Sequence, residues 1–271
     1  MTSQAEKAAR FLALHRGPGP LLLPNPWDPG SAKLLASLGY QALATTTGGF
    51  AGTLGRMDGS VTRDEALEHA SAIVAAVDVP VSADLENAFA DEPAGVARTV
   101  ELALGAGLAG CSVEDFQPGS SEAIYPLEVA RERVAAAVSV AHRGPVHLVI
   151  TARAENYLHG RPDLAGTIAR LQAYQEAGAD VLYAPGLTSL EDIKAVVSSV
   201  DRPVNVLALP GVPPVATLAE AGVARISVGS AFARVASAAL VDAAVELRDA
   251  GTYGFVAAAG RGAEAARRVF A

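Results

Sequence analysis

The feature of this chain that most constrains its fold is a regular alternation of short apolar runs with longer amphipathic segments. Most of the short runs are continuously apolar, as is typical of parallel strands whose two faces are both covered. The amphipathic segments carry apolar residues at spacings of three and four, which indicates helices. Eight strands are predicted along the 271 residues, at positions 21–25, 42–46, 79–86, 110–115, 146–153, 180–184, 203–208 and 225–229.

Eight strand–helix units of this size predict a (β/α)8 TIM-type barrel. Helices are expected at residues 62–77, 126–141 and 163–177, and the first of them opens with the residue spacing of a capping box. A doubly wound sheet is the alternative fold. It is disfavoured because residues 24–30, after the first strand, are not the glycine-rich loop with which that fold binds a pyrophosphate.

The ends of the chain are expected to add helices to the barrel. We predict a single domain over residues 1–271, with an N-terminal helix at 1–16 and a C-terminal helical tail at 241–271. The tail contains a glycine-rich break at 251–254 and a final basic helix from Gly260. It is longer than the closure of a barrel requires, so we expect it to pack on another subunit.

Composition argues against several classes of function. The formal net charge of −8 disfavours nucleic acid and anionic membrane as partners. The only cysteine, Cys111, excludes an intramolecular disulfide and a CxxC metal site, and its place inside a predicted strand indicates a core residue. Every long apolar run is interrupted by glycine, proline or charge, so no membrane span is predicted and we expect a cytoplasmic protein.

Charged residues stand where three consecutive predicted strands end. Asp84 and Glu86 close the third strand, and because residues two apart in a strand point to the same face, we expect their carboxylates to converge. Two such acids repel each other unless a proton or a cation intervenes, and a hard divalent ion prefers oxygen ligands. Glu114 ends the fourth strand and Arg153 ends the fifth. The pattern predicts a site for an anion held by a metal ion and an arginine.

Chemistry in barrels of this kind takes place at the carboxyl ends of the strands. The alternative is that polar residues at these ends only cap helices or face solvent, and it is strongest for Asp115 and Glu155, which could form a supporting ion pair. The full set of candidates at the strand ends is Asn25, Trp27, Asp28, Thr45, Thr46, Thr47, Gly48, Gly49, Asp84, Glu86, Asn87, Glu114, Asp115, Arg153, Glu155, Tyr183, Asn205 and Ser230.

Short motifs follow these strands in a fixed order. They are a Thr-Gly loop at 44–49 with LGRMD at 54–58, then ADLE at 83–86, VED at 113–115 and TAR at 151–153. In order and spacing they resemble the motifs of the isocitrate lyase / phosphoenolpyruvate mutase superfamily, and the resemblance extends over residues 21–239. Each motif alone is weak, whereas four in register along an eight-unit barrel are specific.

The resemblance implies a metal centre. Asp84 matches the acid that binds Mg²⁺ directly, and Mn²⁺ is expected to be able to replace that ion. Glu86 stands where most members have aspartate. Asp58 and Glu114 match acids that hold the ion through water molecules, an arrangement that Mg²⁺ tolerates because it keeps several of its waters.

The resemblance also implies a substrate site and an assembly. The superfamily reaction passes through a pyruvate-like enolate formed from a small 2-oxo acid or dicarboxylate, and we assign Arg153, Glu114 and Tyr125 to catalysis. Superfamily members usually form dimers or tetramers, often with a swapped C-terminal helix, so a homodimer or homotetramer is expected here. The substrate-binding residues expected from the resemblance and from the strand ends together are Thr45, Thr46, Thr47, Gly48, Asp84, Arg153 and Asn205.

Two departures from the superfamily bear on the reaction. The lyase branch has a Lys-Lys-Cys-Gly-His stretch after the fourth strand, where residues 116–125 of this chain contain no cysteine, lysine or histidine. The mutase branch has a histidine after the sixth strand and a lysine–asparagine gate after the fourth, and this chain lacks both. Glu122, Tyr125 and Tyr183 are the remaining candidates for a proton donor.

We therefore predict a Mg²⁺-dependent carbon–carbon lyase, either isocitrate lyase-like or a decarboxylase of the oxaloacetate type, because decarboxylation needs the least proton machinery. The alternative within the same fold is P–C bond chemistry on phosphonopyruvate or phosphoenolpyruvate, as a mutase or hydrolase. A third reading is a barrel that binds a 2-oxo acid without catalysis.

Overall fold

The computed structural model describes residues 2–118 and 124–270 and contains a parallel sheet of eight strands. The order of strands in the sheet is β1-β8-β7-β6-β5-β4-β3-β2, so each strand except those at the seam lies beside its neighbours in sequence. The strands are β1 (Leu21–Leu23), β2 (Leu43–Ala44), β3 (Val81–Asp84), β4 (Gly110–Glu114), β5 (Val149–Arg153), β6 (Val181–Tyr183), β7 (Val204–Leu207) and β8 (Arg225–Ser227).

The seam between β1 and β2 is nearly closed by hydrogen bonds outside the regular ladder. The Ala44 N–H donates to the Pro24 carbonyl at 3.1 Å. The Asn25 side-chain amide donates to the Thr45 carbonyl at 3.0 Å, and its oxygen accepts from the Val228 N–H at 3.0 Å. Asn25 thus joins the first, second and eighth strands, and the predicted (β/α)8 TIM-type barrel is confirmed.

Helices surround the barrel between successive strands and extend beyond the last one. A π-helical turn at Glu246–Ala250 follows the tenth helix. The helices are α1 (Gln4–Leu14), α2 (Pro29–Ser37), α3 (Thr47–Thr53), α4 (Arg63–Ala76), α5 (Pro93–Gly105), α6 (Leu127–Ala141), α7 (Leu164–Glu176), α8 (Leu190–Ser198), α9 (Val215–Glu220), α10 (Ala231–Val245) and α11 (Val256–Val269).

Local sequence explains where the outer helices begin and end. The predicted capping box of α4 is present, because the Thr62 side chain accepts from the Glu65 N–H and Glu65 bonds back to the Thr62 N–H. At the end of α7 the chain turns through Gly178 with a φ of 99°, a conformation that costs glycine little. A Cβ there would lie 2.8 Å from Cγ1 of Val138, so glycine also permits close packing against α6.

The N-terminal helix covers the amino-terminal end of the barrel. Phe11 of α1 is fully buried and packs with Leu21, Val149 and Val181, the first residues of strands or their neighbours. A Cβ on Gly110 would lie 2.8 Å from a ring carbon of Phe11, so the helix is pressed directly onto the strand ends. This closure leaves the carboxyl end as the open end of the barrel.

The structure corrects two details of the sequence prediction. The third strand ends at Asp84 and does not continue to Glu86, because Glu86 has a φ of 49° and has left the extended conformation. The last helix begins at Val256 and not at Gly260, after a break that matches the predicted one at 251–254. No helix within residues 2–118 and 124–270 is long and apolar enough to cross a membrane.

Candidate active site

A cavity of about 230 Å³ opens at the carboxyl ends of the strands. This volume lies below the roughly 300–1,000 Å³ typical of pockets for drug-sized ligands, so it suits a small organic acid. The predicted candidates on its wall are Asn25, Thr45, Thr46, Gly48, Asp58, Asp84, Arg153, Tyr183 and Ser230.

Arg153 lies at the centre of the charged groups around this cavity. Its Nη1 is 3.0 Å from Asp84 Oδ1, its Nη2 is 3.0 Å from Glu114 Oε2, and its Nε is 2.8 Å from Glu155 Oε1. The guanidinium carbon also lies 5.3 Å from the centre of the Tyr183 ring. Burial by itself lowers the pKa of Arg153, but the carboxylates outweigh burial and raise it, so the side chain remains cationic.

Strand register places these groups together. Glu114 and Arg153 are the last residues of β4 and β5 and pair directly across the two strands. Glu155, two residues beyond β5, is almost completely buried, and its N–H donates to Asp115 Oδ1 at 2.8 Å. Asp115 in turn accepts from the Tyr174 hydroxyl at 2.5 Å, so it supports Glu155 from outside the barrel.

Asp84 is held by the loop that follows β2. Its Oδ2 accepts from the Thr47 hydroxyl at 3.0 Å and from the Thr47 N–H at 3.2 Å. Its own N–H donates to the Thr45 hydroxyl at 3.0 Å. Thr46 begins α3 by accepting from the Gly49 N–H at 3.3 Å, and its hydroxyl lies 2.9 Å from that of Ser230. The predicted threonines therefore hold the Asp84 side chain in position and also stabilise the cavity wall.

Glu86 is the least satisfied of the acids. Its Oε1 is buried without a hydrogen-bond partner. Burial, with repulsion from Asp84, raises the pKa of Glu86 to about 7. The backbone is strained at the same place, since Glu86, Ala88 and Phe89 have φ values of 49°, 60° and 54°. Strain of this kind in residues other than glycine is concentrated at functional sites.

Gly48 leaves space that a larger residue would fill. A Cβ at this position would lie 2.6 Å from Asp58 Oδ2 and 2.7 Å from the Ser230 hydroxyl. Burial and the nearby Asp84 raise the pKa of Asp58. The loop that carries Asp58 therefore rests directly on the backbone of α3, and any side chain at position 48 would displace it.

The donor set fits a hard divalent cation. Asp58, Asp84, Glu86 and Glu114 are all oxygen donors, and burial raises the pKa of Glu114 well above its usual range although Arg153 is adjacent. The buried, unpartnered oxygen of Glu86 is the kind of atom that an ion would satisfy. In the described part of the chain, no three of these acids place their oxygens all within 4.8 Å of one another, which suits ligation partly through water.

A polar layer that the sequence analysis did not assign forms part of the cavity wall. Arg225 of β8 is buried, and burial lowers its pKa to about 10. It donates to Asn205 Oδ1 and to the Thr151 hydroxyl, both at 3.0 Å. Asn205, predicted to bind substrate, lies behind the cavity wall and donates to Ser227 at 2.9 Å. The sequence did contain one signal for this layer, because Arg225 is a charged residue in the largely apolar predicted strand at 225–229.

Arg234 is a further cation on the cavity wall that sequence reasoning missed. It lies in the first turn of α10, close enough to Asp58 to lower that acid's pKa in part. Its position three residues into a helix gave no pattern that distinguishes it from an ordinary surface arginine. With Arg153 and Arg225 it gives the cavity three cationic side chains.

Tyr125 and Cys111 lie away from the cavity. The Tyr125 hydroxyl donates to Asp91, accepts from the Asn87 side-chain amide at 3.2 Å, and its ring lies 4.1 Å from the Arg133 guanidinium carbon. Tyr125 is therefore held by Asp91, Asn87 and Arg133 and is not among the residues that line the cavity. Cys111 is a core residue, and burial raises the pKa of its thiol to about 12. The candidate proton donor Glu122 lies outside the described residues.

A model of the family described as phosphoenolpyruvate phosphomutase matches residues 11–248 of the chain. A 2-methylisocitrate lyase from Halalkalibacterium halodurans is 30% identical over 204 residues, which cover 74% of this chain and 67% of the relative. The region matched by the family model includes every acid and arginine of the cavity described above.

Solved structures share the same fold. A Burkholderia cenocepacia J2315 protein, provisionally described as a lyase or mutase, has 49% sequence identity and a TM-score of 0.96, with 99% of this chain and 98% of that chain covered. Oxaloacetate acetylhydrolase in complex with the product oxalate has 25% identity and a TM-score of 0.84, with 94% and 90% covered.

Proposed function

Because the chain belongs to the phosphoenolpyruvate phosphomutase family, we propose that it is a Mg²⁺-dependent enzyme acting on a small 2-oxo acid, and that it breaks the carbon–carbon bond between the carbon adjacent to the carbonyl and the carbon beyond it. The observation that carries the proposal is the cavity in which Arg153 and Asp84 meet among further acids and arginines. Decarboxylation of an oxaloacetate-like dicarboxylate is the first candidate reaction.

The acids supply the cation site. Asp84 would bind Mg²⁺ directly, Glu86 lies beside it with an unpartnered oxygen, and Asp58 and Glu114 would hold water on the ion. When bound, Mg²⁺ would supply positive charge that polarises a carbonyl oxygen. Mn²⁺, which also accepts oxygen ligands, is expected to replace it.

The arginines supply the anion site. Arg153 is fixed on two sides by Glu114 and Glu155, so its guanidinium keeps its orientation when Asp84 turns to a cation. The residues to which Arg225 donates hydrogen bonds, Asn205 and Thr151, are uncharged. Its positive charge is therefore available to an anion in the cavity. Two carboxylates of one small acid could therefore be bound at once.

The bond-breaking step needs stabilisation of charge on oxygen. As the bond to the departing carboxylate breaks, carbon dioxide leaves, and the electron pair of that bond is delocalised onto the neighbouring carbonyl oxygen to form an enolate. A preorganised guanidinium such as that of Arg153 stabilises this developing charge without reorganisation. Leu158, Leu207 and Leu209 also line the cavity and reduce the access of water.

The enolate must then gain a proton on carbon. Among the described residues, Tyr183 is the tyrosine on the cavity wall. Burial raises its pKa to about 12, so its hydroxyl stays protonated at neutral pH. A protonated donor near the carbon that carried the leaving group can complete the reaction. We assign this role to Tyr183 in preference to Tyr125, which lies outside the cavity.

We also propose that the protein is a homodimer or homotetramer. Helix α10 has no buried residue, and Val235, Leu240 and Val241 on it are 66%, 71% and 59% exposed. A helix that exposes apolar side chains on several sides is typical of one that packs against a partner. Sedimentation of the purified chain at several concentrations tests this: a monomer throughout would contradict it.

A turnover screen tests the proposed reaction. Purified protein with Mg²⁺ would be given oxaloacetate, isocitrate, 2-methylisocitrate, phosphonopyruvate and phosphoenolpyruvate, with pyruvate, glyoxylate and phosphate as readouts. Pyruvate from oxaloacetate, above the rate of a boiled-protein blank, is the expected result. Phosphate from phosphonopyruvate would instead indicate P–C chemistry, and tight binding of 2-oxo acids without turnover of any of them would indicate a binding protein.

A further inference from the structure

A second cluster of metal-binding side chains lies at the opposite end of the barrel from the cavity. His142 ends α6, His147 lies two residues before β5, and Asp180 lies one residue before β6. All three therefore lie at the amino-terminal ends of the strands, whereas Arg153 ends β5 on the other side. Their ligand atoms all lie within 4.8 Å of one another.

Both histidines direct the same kind of atom at the same carboxylate. His142 Nε2 is 3.0 Å from Asp180 Oδ2, and His147 Nε2 is 2.9 Å from Asp180 Oδ1. The two imidazole rings stack with their centres 3.9 Å apart and their planes inclined by 16°. This stacking fixes the two nitrogens side by side, so the side chains are already ordered for a shared ligand.

Asp180 is suited to be the anionic member of such a set. Burial tends to raise its pKa, but hydrogen bonds from His142, from the Ile150 N–H and from His147 outweigh burial and lower it. The Ile150 N–H donates to Oδ2 at 2.9 Å and holds the carboxylate in place whether or not a cation is present. A metal ligand is usually oriented by such a supporting hydrogen bond.

We propose that His142, His147 and Asp180 bind a transition-metal ion of the Zn²⁺ class. Two imidazoles and one carboxylate suit Zn²⁺, Co²⁺ or Ni²⁺ and do not suit Mg²⁺, which prefers oxygen ligands alone. Each histidine needs only to carry its proton on Nδ1, so that the lone pair of Nε2 faces the metal. Water completes the coordination, because the side chains of His142 and His147 are 26% and 42% exposed.

The consequence of this site is structural. One ion would join the end of α6 to the approaches of β5 and β6, and it would hold the connection at residues 143–148 against the barrel. A ligand that binds only the folded chain raises its stability, and the gain grows with the logarithm of the ligand concentration once this exceeds Kd. The site is independent of the reaction proposed above, because none of its residues reaches the cavity.

Binding of Zn²⁺ to tag-free, metal-stripped protein tests the proposal directly. Zn²⁺ would be titrated against a chromophoric chelator, with excess Mg²⁺ present to occupy the acids near Asp84. We expect one tightly bound Zn²⁺ per chain that His147→Gln and His142→Gln each weaken by more than roughly 100-fold, beyond the 10- to 100-fold typical of losing a group that only orients a ligand. His159→Gln, which alters another half-exposed histidine, should keep the affinity of the wild type.

Two further readouts separate metal ligation from a simple ion pair. Zn²⁺ should raise the melting temperature of the wild type and of His159→Gln but not of His147→Gln, and Co²⁺ should give visible absorption bands that His147→Gln loses. Because His147 is partly exposed, its variant is expected to fold, and its Mg²⁺-dependent activity should be unchanged. Equal Zn²⁺ stoichiometry and affinity in the wild type and in both cluster variants would overturn the proposal.

Discussion

Arg153 Nη1 lies 3.0 Å from Asp84 Oδ1, so the predicted anion-binding group and the predicted metal ligand are paired with each other. A cation that takes this oxygen of Asp84 would weaken the pair, while Thr47 keeps the other oxygen in place. Arg153 would remain fixed by Glu114 and Glu155 with Nη1 free to bind substrate. On the proposed assignment, cation binding at Asp84 would therefore release one nitrogen of Arg153 for the substrate.

Removal of Arg153 should strongly destabilise the protein. Arg153→Ala would leave the buried carboxylates of Glu114 and Glu155 without a cation, and loss of one partner of a buried pair costs about 3–5 kcal/mol. The check is the free energy of unfolding from a denaturant titration. Arg143→Ala is the matched control, because its pair with Glu101 is long, at 3.7 Å, and exposed. Equal losses in the two variants would show that the Arg153 network is not structural.

A methyl group at position 48 should impair activity without unfolding the chain. Gly48→Ala would press against Asp58 and Ser230, and a displacement of about 1 Å in a site can cost roughly 100-fold in rate. Gly52→Ala lies in the same helix, where a Cβ meets nothing within 4 Å, and it should keep full activity. Turnover and melting temperature of both variants give the answer; equal activity would show that the space at Gly48 is not used.

The metal-free protein should lose stability as pH rises from about 5 to about 8. The pKa of Glu86 is raised from 4.5 to about 7, so the folded state binds more protons than the unfolded state in this window, and stability falls as they leave. Melting curves should show a smaller fall for Glu86→Gln, and added Mg²⁺ should offset the fall at the higher pH. A melting temperature that rises over this range in metal-free protein would contradict the assignment.

The two tyrosines should separate stability from catalysis. Tyr183→Phe removes the proposed proton donor and should lower kcat by roughly 100-fold or more while the fold is retained. Tyr125→Phe removes a hydrogen bond to Asp91, worth about 1.5–3 kcal/mol of stability when the acceptor is charged, and should leave kcat unchanged. If Tyr125→Phe lost activity and Tyr183→Phe kept it, the donor would be Tyr125, as the sequence analysis proposed.

Sequence alone was sufficient for the barrel because strand and helix signals are local. Continuous apolar runs, the capping box at Thr62 and the glycine after α7 each act within a few residues, and all eight strands formed where they were expected. The strand end was harder to place. Glu86 leaves the strand because of its positive φ, which the alternation of side chains could not reveal.

The site was predictable only in part. Asp84, Glu114 and Arg153 end neighbouring strands, so their convergence follows from parallel topology. Arg225 and Arg234 reach the cavity from β8 and α10. Arg225 is unusual as a charge in a largely apolar strand, but the sequence around neither arginine indicates that it lies near Arg153. Tyr125 lies in the connection well beyond the end of β4 at Glu114, where Asp91 and Arg133 hold its hydroxyl and its ring.

The most direct test of the account is the Mg²⁺ dependence of pyruvate release from oxaloacetate by the wild type and by Asp84→Asn. We expect the wild-type rate to saturate with Mg²⁺ and to vanish with a chelator. In Asp84→Asn it should fall by at least roughly 100-fold at every Mg²⁺ concentration, because the ligand that positions the ion's charge is lost. A wild-type rate that is unchanged by the chelator, or a variant as active as the wild type, would contradict the proposed site.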